Sequence, residues 1–405
     1  MCLYSMRIER GDGDGSALRK EGILMIYRRQ CMKTYGTGAL LALIIITVAP
    51  LNGCKQKKST FQFPHIPSIY GNNLSKVLAF DEDTVFLTGA FGYAARTTQG
   101  SQIRYENSSK DFWEVQDTGL KDELFTDASF PDPNNGWLVG IVGTILHTPD
   151  GGTTWERQES GTERHLFTVY FVDDKHGWAA GDLMTIIHTS DGGKTWAPQE
   201  VEEILEENIF AAEVIYNGLF FHDALDGWLV GEFGTIYHTT DGGKNWLHVD
   251  CDLLQPKTGE DEWEMPRLTL YDVYFTDRDT GFILGVDGTM IKTEDGGKEW
   301  RLIDTTTKQS LYSITNVGNI FWAVGNRGVL IKSTDGGNTW VNKTGAIHSK
   351  GWFTSVSFPN EKTGWVVGKA GAVFKTLDGG ETWEWLSGIS YDWPEFKAPK
   401  ALVGE

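Results

Sequence analysis

Little in this chain could cross-link it, span a bilayer or neutralise a phosphate. Four cysteines in 405 residues, at positions 2, 31, 54 and 251, are too few and too scattered for a disulfide framework. The one long apolar run, residues 39–49 (ALLALIIITVA), has 11 residues, short of the roughly 20 a spanning helix needs. Positive charge is sparse: 36 Lys and Arg against 55 Asp and Glu give a net charge of −19. That balance excludes nucleic acid, because nothing basic is available to replace phosphate counterions, and it excludes electrostatic docking to anionic lipid. No nucleotide-cradling glycine loop, nucleophile elbow or zinc-ligand spacing occurs, so motifs assign no cofactor, no metal ligand and no catalytic residue.

The apolar run does have the length of a signal-peptide core, with a short basic flank at Met32-Lys33. Leu51-Asn52-Gly53-Cys54 follows it and resembles the bacterial lipobox, whose cysteine becomes the lipidated mature N-terminus. The resemblance implies cleavage before Cys54, lipidation of that residue, and an extracytoplasmic chain anchored to a bacterial membrane, on its periplasmic side or at the cell surface. Residues 1–53 are then an over-extended start, with Met25 or Met32 as the true first residue, plus the signal peptide; residues 54–73 are a polar tether. From Cys54 onward the chain carries 29 basic against 51 acidic residues, a net charge of −22. Cys251 is left with no intramolecular partner, so the fold must be held by its core.

What the chain has in abundance is glycine (48) and tryptophan (16), and both recur with a period. Six copies align, from Gly136-Trp137 to Trp155, Gly177-Trp178 to Trp196, Gly227-Trp228 to Trp246, Gly281-Phe282 to Trp300, Phe321-Trp322 to Trp340 and Gly364-Trp365 to Trp383. Their Asp-Gly-Gly aspartates, Asp150, Asp191, Asp241, Asp295, Asp335 and Asp378, are spaced by 41, 50, 54, 40 and 43 residues. A seventh, decayed copy precedes them, from Val85 to Gly92, through Thr97-Thr98-Gln99-Gly100, to Trp113. Each copy reads as four strands, with Asp-Gly-Gly as the turn between the third and fourth, because glycine supplies the positive φ a tight hairpin needs. Four strands per period is one propeller blade. The expected fold is all-β: a single seven-bladed β-propeller of four-stranded antiparallel blades with Asp-box hairpins over 74–388, followed by a tail at 389–405.

The residues match the Asp-box pattern Ser/Thr-x-Asp-x-Gly-x-Thr-Trp. The longer run Gly-Trp-x-Val-Gly-x-x-Gly-x-Ile-x-x-Thr-x-Asp-Gly-Gly-x-Thr-Trp, met for instance over 136–155, resembles the repeat of the photosystem II stability/assembly factor family. The resemblance covers about residues 74–388. It implies a non-catalytic scaffold or assembly factor that holds membrane-protein precursors at the extracytoplasmic face of a membrane. One departure is the scarcity of arginine, eight from Cys54 onward, which leaves no evident basic patch for a photosynthetic partner.

Six aspartates in equivalent turns invite a metal reading, but one carboxylate per turn is a poor calcium site. They read instead as turn locks that accept backbone N–H groups two residues on, with Trp155, Trp196, Trp246, Trp300, Trp340 and Trp383 as packing anchors. His147, His188, His238, Lys292, Lys332 and Lys375 share one repeat position, read as a solvated strand site. Up-and-down strand order places the boxes on one face and the blade links on the other. Two links are enlarged, about 197–216 and 248–268, and acidic; 201–214 has the pattern of a short amphipathic helix. Loops on a rigid scaffold are where function concentrates. The candidate partner-binding rim therefore comprises Glu203, Glu207, Glu232, Asp252, Asp261, Trp263, Asp287, Arg327 and Lys369. Its mixed charge suits a polypeptide or membrane-protein partner for a monomeric propeller. The competing reading is a glycoside hydrolase, sialidase-like or glucanase-like, using rim carboxylates. Against it, the Phe-Arg-Ile-Pro expected of sialidases is missing, with only Phe63-Pro64-His65-Ile66-Pro67 as an echo.

Overall fold

A computed structural model describes residues 73–104, 112–201, 214–254 and 268–387. Cys54, the tether up to residue 72, the tail at 389–405 and the amphipathic pattern at 202–213 lie outside the described residues. The strands form seven separate four-stranded antiparallel sheets, each in sequence order. They are blade 1 (74–115), blade 2 (125–158), blade 3 (166–198), blade 4 (216–248), blade 5 (270–302), blade 6 (311–342) and blade 7 (353–387). The seven-bladed propeller expected from the repeat is what forms.

Glycine opens the second strand because an aromatic ring lies flat against it. A Cβ on Gly177 would sit 2.4 Å from the ring of Phe171, the last residue of the same blade's first strand. That ring in turn stacks on Trp137 of the preceding blade, centroids 3.6 Å apart and planes within 7°. The same sandwich joins Phe221 to Trp178 and Phe358 to Trp322. Blade 6 reverses the arrangement. Asn316 stands where the first strand should end in an aromatic, Phe321 replaces its paired glycine, and Phe321 packs on Phe282 of blade 5 instead. The fully buried Trp137, Trp178, Trp228, Trp322 and Trp365 are thus inter-blade anchors. The box tryptophans are less buried than expected, with Trp246 and Trp340 enclosed and the other four half-exposed.

The innermost strands are laced across the blade boundaries by side chains. Val77, Val169, Ile314 and Val356 N–H groups donate to Ser355, Asp127, Asp272 and Ser313 respectively, at 3.1–3.3 Å. Thr126 and Thr354 hydroxyls donate to the Leu166 and Leu74 carbonyls of the next blade. The last of these contacts, and those of Ser355, close the ring between blades 7 and 1, with no strand shared between them among the described residues.

Candidate functional site

The box hairpins define one face. Thr148 Oγ1 donates to Asp150 Oδ1 and accepts from Gly152 N–H, while Thr154 N–H and Oγ1 donate to the two Asp150 oxygens at 2.8 Å. The same lock recurs at Asp191, Asp241, Asp335 and Asp378; Asp295 keeps the backbone bond, from Glu299 N–H. The donors are four residues on rather than two, because both glycines are consumed in turning the chain. The Thr154 N–H holds the Asp150 carboxyl below the usual carboxylate range. Box carboxylates whose lone pairs are taken by their own turn are framework. The first box glycine also donates to its blade's strand one–two turn, as Gly151 does to Asn134 O at 2.7 Å, so these turns share the face.

The repeated His/Lys position is not solvated as expected. Lys292 and Lys375 are buried, and His147, His188, His238 and Lys332 are half-buried. Each is paired across the sheet with its blade's Gly-Trp aromatic. Imidazoles lie on indoles at 4.1–4.8 Å, stacked at His147 and His238 and tilted at His188, and ammonium groups lie 5.3–5.8 Å from ring centroids. A flat or cationic group covers the ring, which a solvated side chain would leave open.

The opposite face carries the strand two–three turns and the blade links, as Gly92 N–H to Glu123 O and Gly234 N–H to Leu268 O show. Of the expected rim residues, Glu232, Asp287, Arg327 and Lys369 occupy equivalent turns of blades 4 to 7, one per blade. Asp287 and Arg327 are exposed in left-handed backbone, at φ of 54° and 53°. Burial raises the pKa of Glu232. Lys369 Nζ lies 4.3 Å from the Trp352 ring centroid. Asp252 opens a short exposed turn after blade 4. Glu203, Glu207, Asp261 and Trp263 lie outside the described residues.

Sequence reading missed four rim side chains. Phe91, Val142, Leu183 and Phe233 take the turn position of Asp287 and Arg327 in blades 1 to 4 and are 56%, 53%, 38% and 41% exposed. All four have positive φ. For Phe91, Val142 and Phe233 the available signal was an apolar residue before the second glycine of Gly-x-x-Gly, where a turn residue was due; in blade 3 Met184 replaces that glycine, so Leu183 carried no such signal.

The face opens on the central channel, a cavity of about 600 Å3 lined by the first strands. In its lining Lys76 forms a 2.9 Å ion pair with Asp127. Burial opposes the Lys76 charge, but Asp127 more than offsets it, so its pKa ends above normal. Burial pushes the Asp272 carboxyl up to about 7, with Lys76 opposing. Both carboxylates accept inter-blade N–H groups at the position where Ser313 and Ser355 do the same. They therefore serve as clasps rather than as a free acid–base pair.

The family model described as Photosynthesis system II assembly factor YCF48 matches residues 105–166, 155–261 and 255–346, more than half of the chain. A photosystem II assembly lipoprotein Ycf48 from Synechococcus sp. (strain CC9902) is 40% identical over 73 residues, 17% of this chain and 22% of the relative. The match thus spans about a fifth of that protein. A solved structure of YCF48 bound to D1 peptide superposes with a TM-score of 0.57 at 19% identity, covering 77% of this chain and 95% of the other. The GH74 enzyme of Niastella koreensis also gives 0.57, at 15% identity, covering 78% of this chain and 54% of the enzyme. At such identities both structures report the shared propeller fold alone.

Proposed function

Since the chain belongs to the Photosynthesis system II assembly factor YCF48 family, we propose that it is a non-catalytic, extracytoplasmic assembly or binding factor. It is held to a membrane by lipid on Cys54 and engages a membrane-protein or other polypeptide partner through the rim opposite the Asp boxes. One observation carries the choice of face. Asn73 accepts from Ala90 and Ala370 N–H groups, and Ser387 donates to Gly371 O. Both ends of the described chain therefore meet the rim at its strand two–three turns. The tether expected from Cys54 therefore leads into the same rim that is proposed to meet the partner. The solved structure of YCF48 bound to D1 peptide supports a polypeptide ligand for the family.

Photocrosslinkers at Asp287 and Arg327, with Lys298 on the box face as control, test the reading in native membranes. A discrete polypeptide adduct from the rim positions alone is expected. Adducts from Lys298 alone, or hydrolysis of a glycoside panel that is abolished by changing a rim carboxylate, would refute it.

A further inference from the structure

The rim is divided. At the tip of the strand two–three turn, blades 1 to 4 place Phe91, Val142, Leu183 and Phe233, whereas blades 5 to 7 place Asp287, Arg327 and Ala370. The position is left-handed in all seven blades, which suits Asn, Asp or Gly and penalises bulky or β-branched side chains. Val142, at φ 53° and ψ 41°, is the least suited of them. All four sit in strained backbone while staying 38–56% exposed, a position for which folding alone favours Asn, Asp or Gly. Exposed apolar tips on four consecutive blades, held in strained backbone, are the kind of feature that marks an interaction site.

Two carboxylates belong to the same turns. Asp182 immediately precedes Leu183, and its buried Oδ1 has no hydrogen-bond partner among the described residues. Glu232 immediately precedes Phe233 and is half-buried. A buried acceptor without a donor is costly unless something supplies one. Acidic groups beside apolar tips disfavour an anionic bilayer and favour a ligand that brings its own cations.

We propose that the arc of Phe91, Val142, Leu183 and Phe233 is the docking surface for an apolar polypeptide segment carrying Lys or Arg side chains, with Asp182 and Glu232 receiving those cations. The inference rests on the rim-binding reading above and specifies where on the rim the partner lies and what chemistry it presents. Both ends of the described chain, Asn73 and Ser387, meet this same face.

The full chain is tested for binding to a 16-residue Leu/Lys peptide, with Ser-for-Leu and Glu-for-Lys peptides and with phosphatidylcholine and phosphatidylglycerol vesicles. The quadruple variant Phe91→Asn, Val142→Asn, Leu183→Asn and Phe233→Asn keeps a residue that accepts left-handed backbone, so its melting temperature should match or exceed that of the unmodified chain. Expected are at least tenfold tighter binding of the Leu/Lys peptide than of either control, loss of that preference in the quadruple variant, and a several-fold loss in Asp182→Asn with Glu232→Gln. Lys298→Gln, on the box face, should leave that preference unchanged. Equal peptide binding by the folded quadruple variant overturns the proposal, as does tip-dependent binding to vesicles, which would make lipid the occupant. If the rim crosslinks a native polypeptide equally well in the quadruple variant, the arc is refuted while rim binding stands. If the rim crosslinks nothing, the functional reading itself falls.

Discussion

Lys375 of blade 7 and Gly100 of blade 1 are joined by a 2.7 Å ammonium-to-carbonyl hydrogen bond. The same ammonium donates to Ile103 O at 3.1 Å. Burial pushes its pKa down to about 8, yet the contacts form at the one junction where the following blade has no Asp box. Because each blade is built from its own four consecutive strands, no exchanged strand among the described residues locks this junction. Lys375 and the inner-strand hydroxyls of Thr354 and Ser355 take that role.

Lys375→Met keeps the packing stem over Trp365 and removes the donor. Leaving the Gly100 and Ile103 carbonyls without this partner should cost about 1.5–3 kcal/mol, read as a lower urea midpoint with strand content preserved. An unchanged midpoint would show that the inner-strand hydroxyls close the ring unaided.

A glutamine clasp recurs at three junctions. Gln116, Gln158 and Gln199, each three residues after a tryptophan, accept from Trp155, Trp196 and Trp246 Nε1 of the next blade. They donate to the box carbonyls of Gly151, Gly192 and Gly242. The second box glycine makes room: a Cβ on Gly193 would lie 1.9 Å from Gln158 Oε1. Gln158→Leu should cost about 1–3 kcal/mol by stranding both partners.

The converse change should stabilise. Val249 holds the glutamine position of blade 4, with the same backbone bond that Gln199 makes in blade 3, and Trp300 Nε1 in the next blade has no hydrogen-bond partner among the described residues. Val249→Gln is expected to raise the melting temperature, corresponding to a gain of up to about 1 kcal/mol. A lower melting temperature would mean that the lost apolar packing of Val249 outweighs the new bonds.

The period, the four-strand blade, the blade count and the face of each turn were legible in the sequence because they depend on local signals: Asp-Gly-Gly hairpins, alternating strands and Gly-Trp. What joins blades was not, since those partners are about one blade apart and differ in type. Asp127, Asp272, Ser313 and Ser355 do one job, and only superposed blades reveal it. The His/Lys position misled for a related reason: a charged residue in a strand reads as solvent-facing until the aromatic on the paired strand is seen. At the rim, acidity drew attention to the long links, while Phe91, Val142, Leu183 and Phe233 passed as ordinary scattered apolar residues.

The box aspartates predict acid sensitivity. Their folded pKa values lie below normal, for Asp191 chiefly through the Thr195 N–H. Their stabilisation is therefore complete above the ordinary carboxylate pKa of about 3.9 and lost as pH falls through the folded values. Asp191→Ala should cost about 1–2 kcal/mol at pH 7 and lose less than the unmodified chain between pH 5 and pH 2. Peptide binding at the rim should be unaffected, because box and rim lie on opposite faces.

Asp272 predicts the opposite slope. Its folded pKa of about 7 exceeds the unfolded value near 3.9, so between those values the native state holds more protons than the unfolded one. Stability contributed at this position must therefore fall as pH rises from about 4 to about 7 and level off above. Asp272→Asn keeps an oxygen for the Ile314 N–H and never ionises. The two proteins should melt together near pH 4.5, with the Asn variant progressively more stable toward pH 8. Lys76 pulls the other way, since it loses one of the two carboxylates that favour its charge. Melting at pH 4.5, 6 and 8 decides between them. A variant that grows less stable than the unmodified chain with rising pH would show that attraction to Lys76, not burial, governs the middle of the channel.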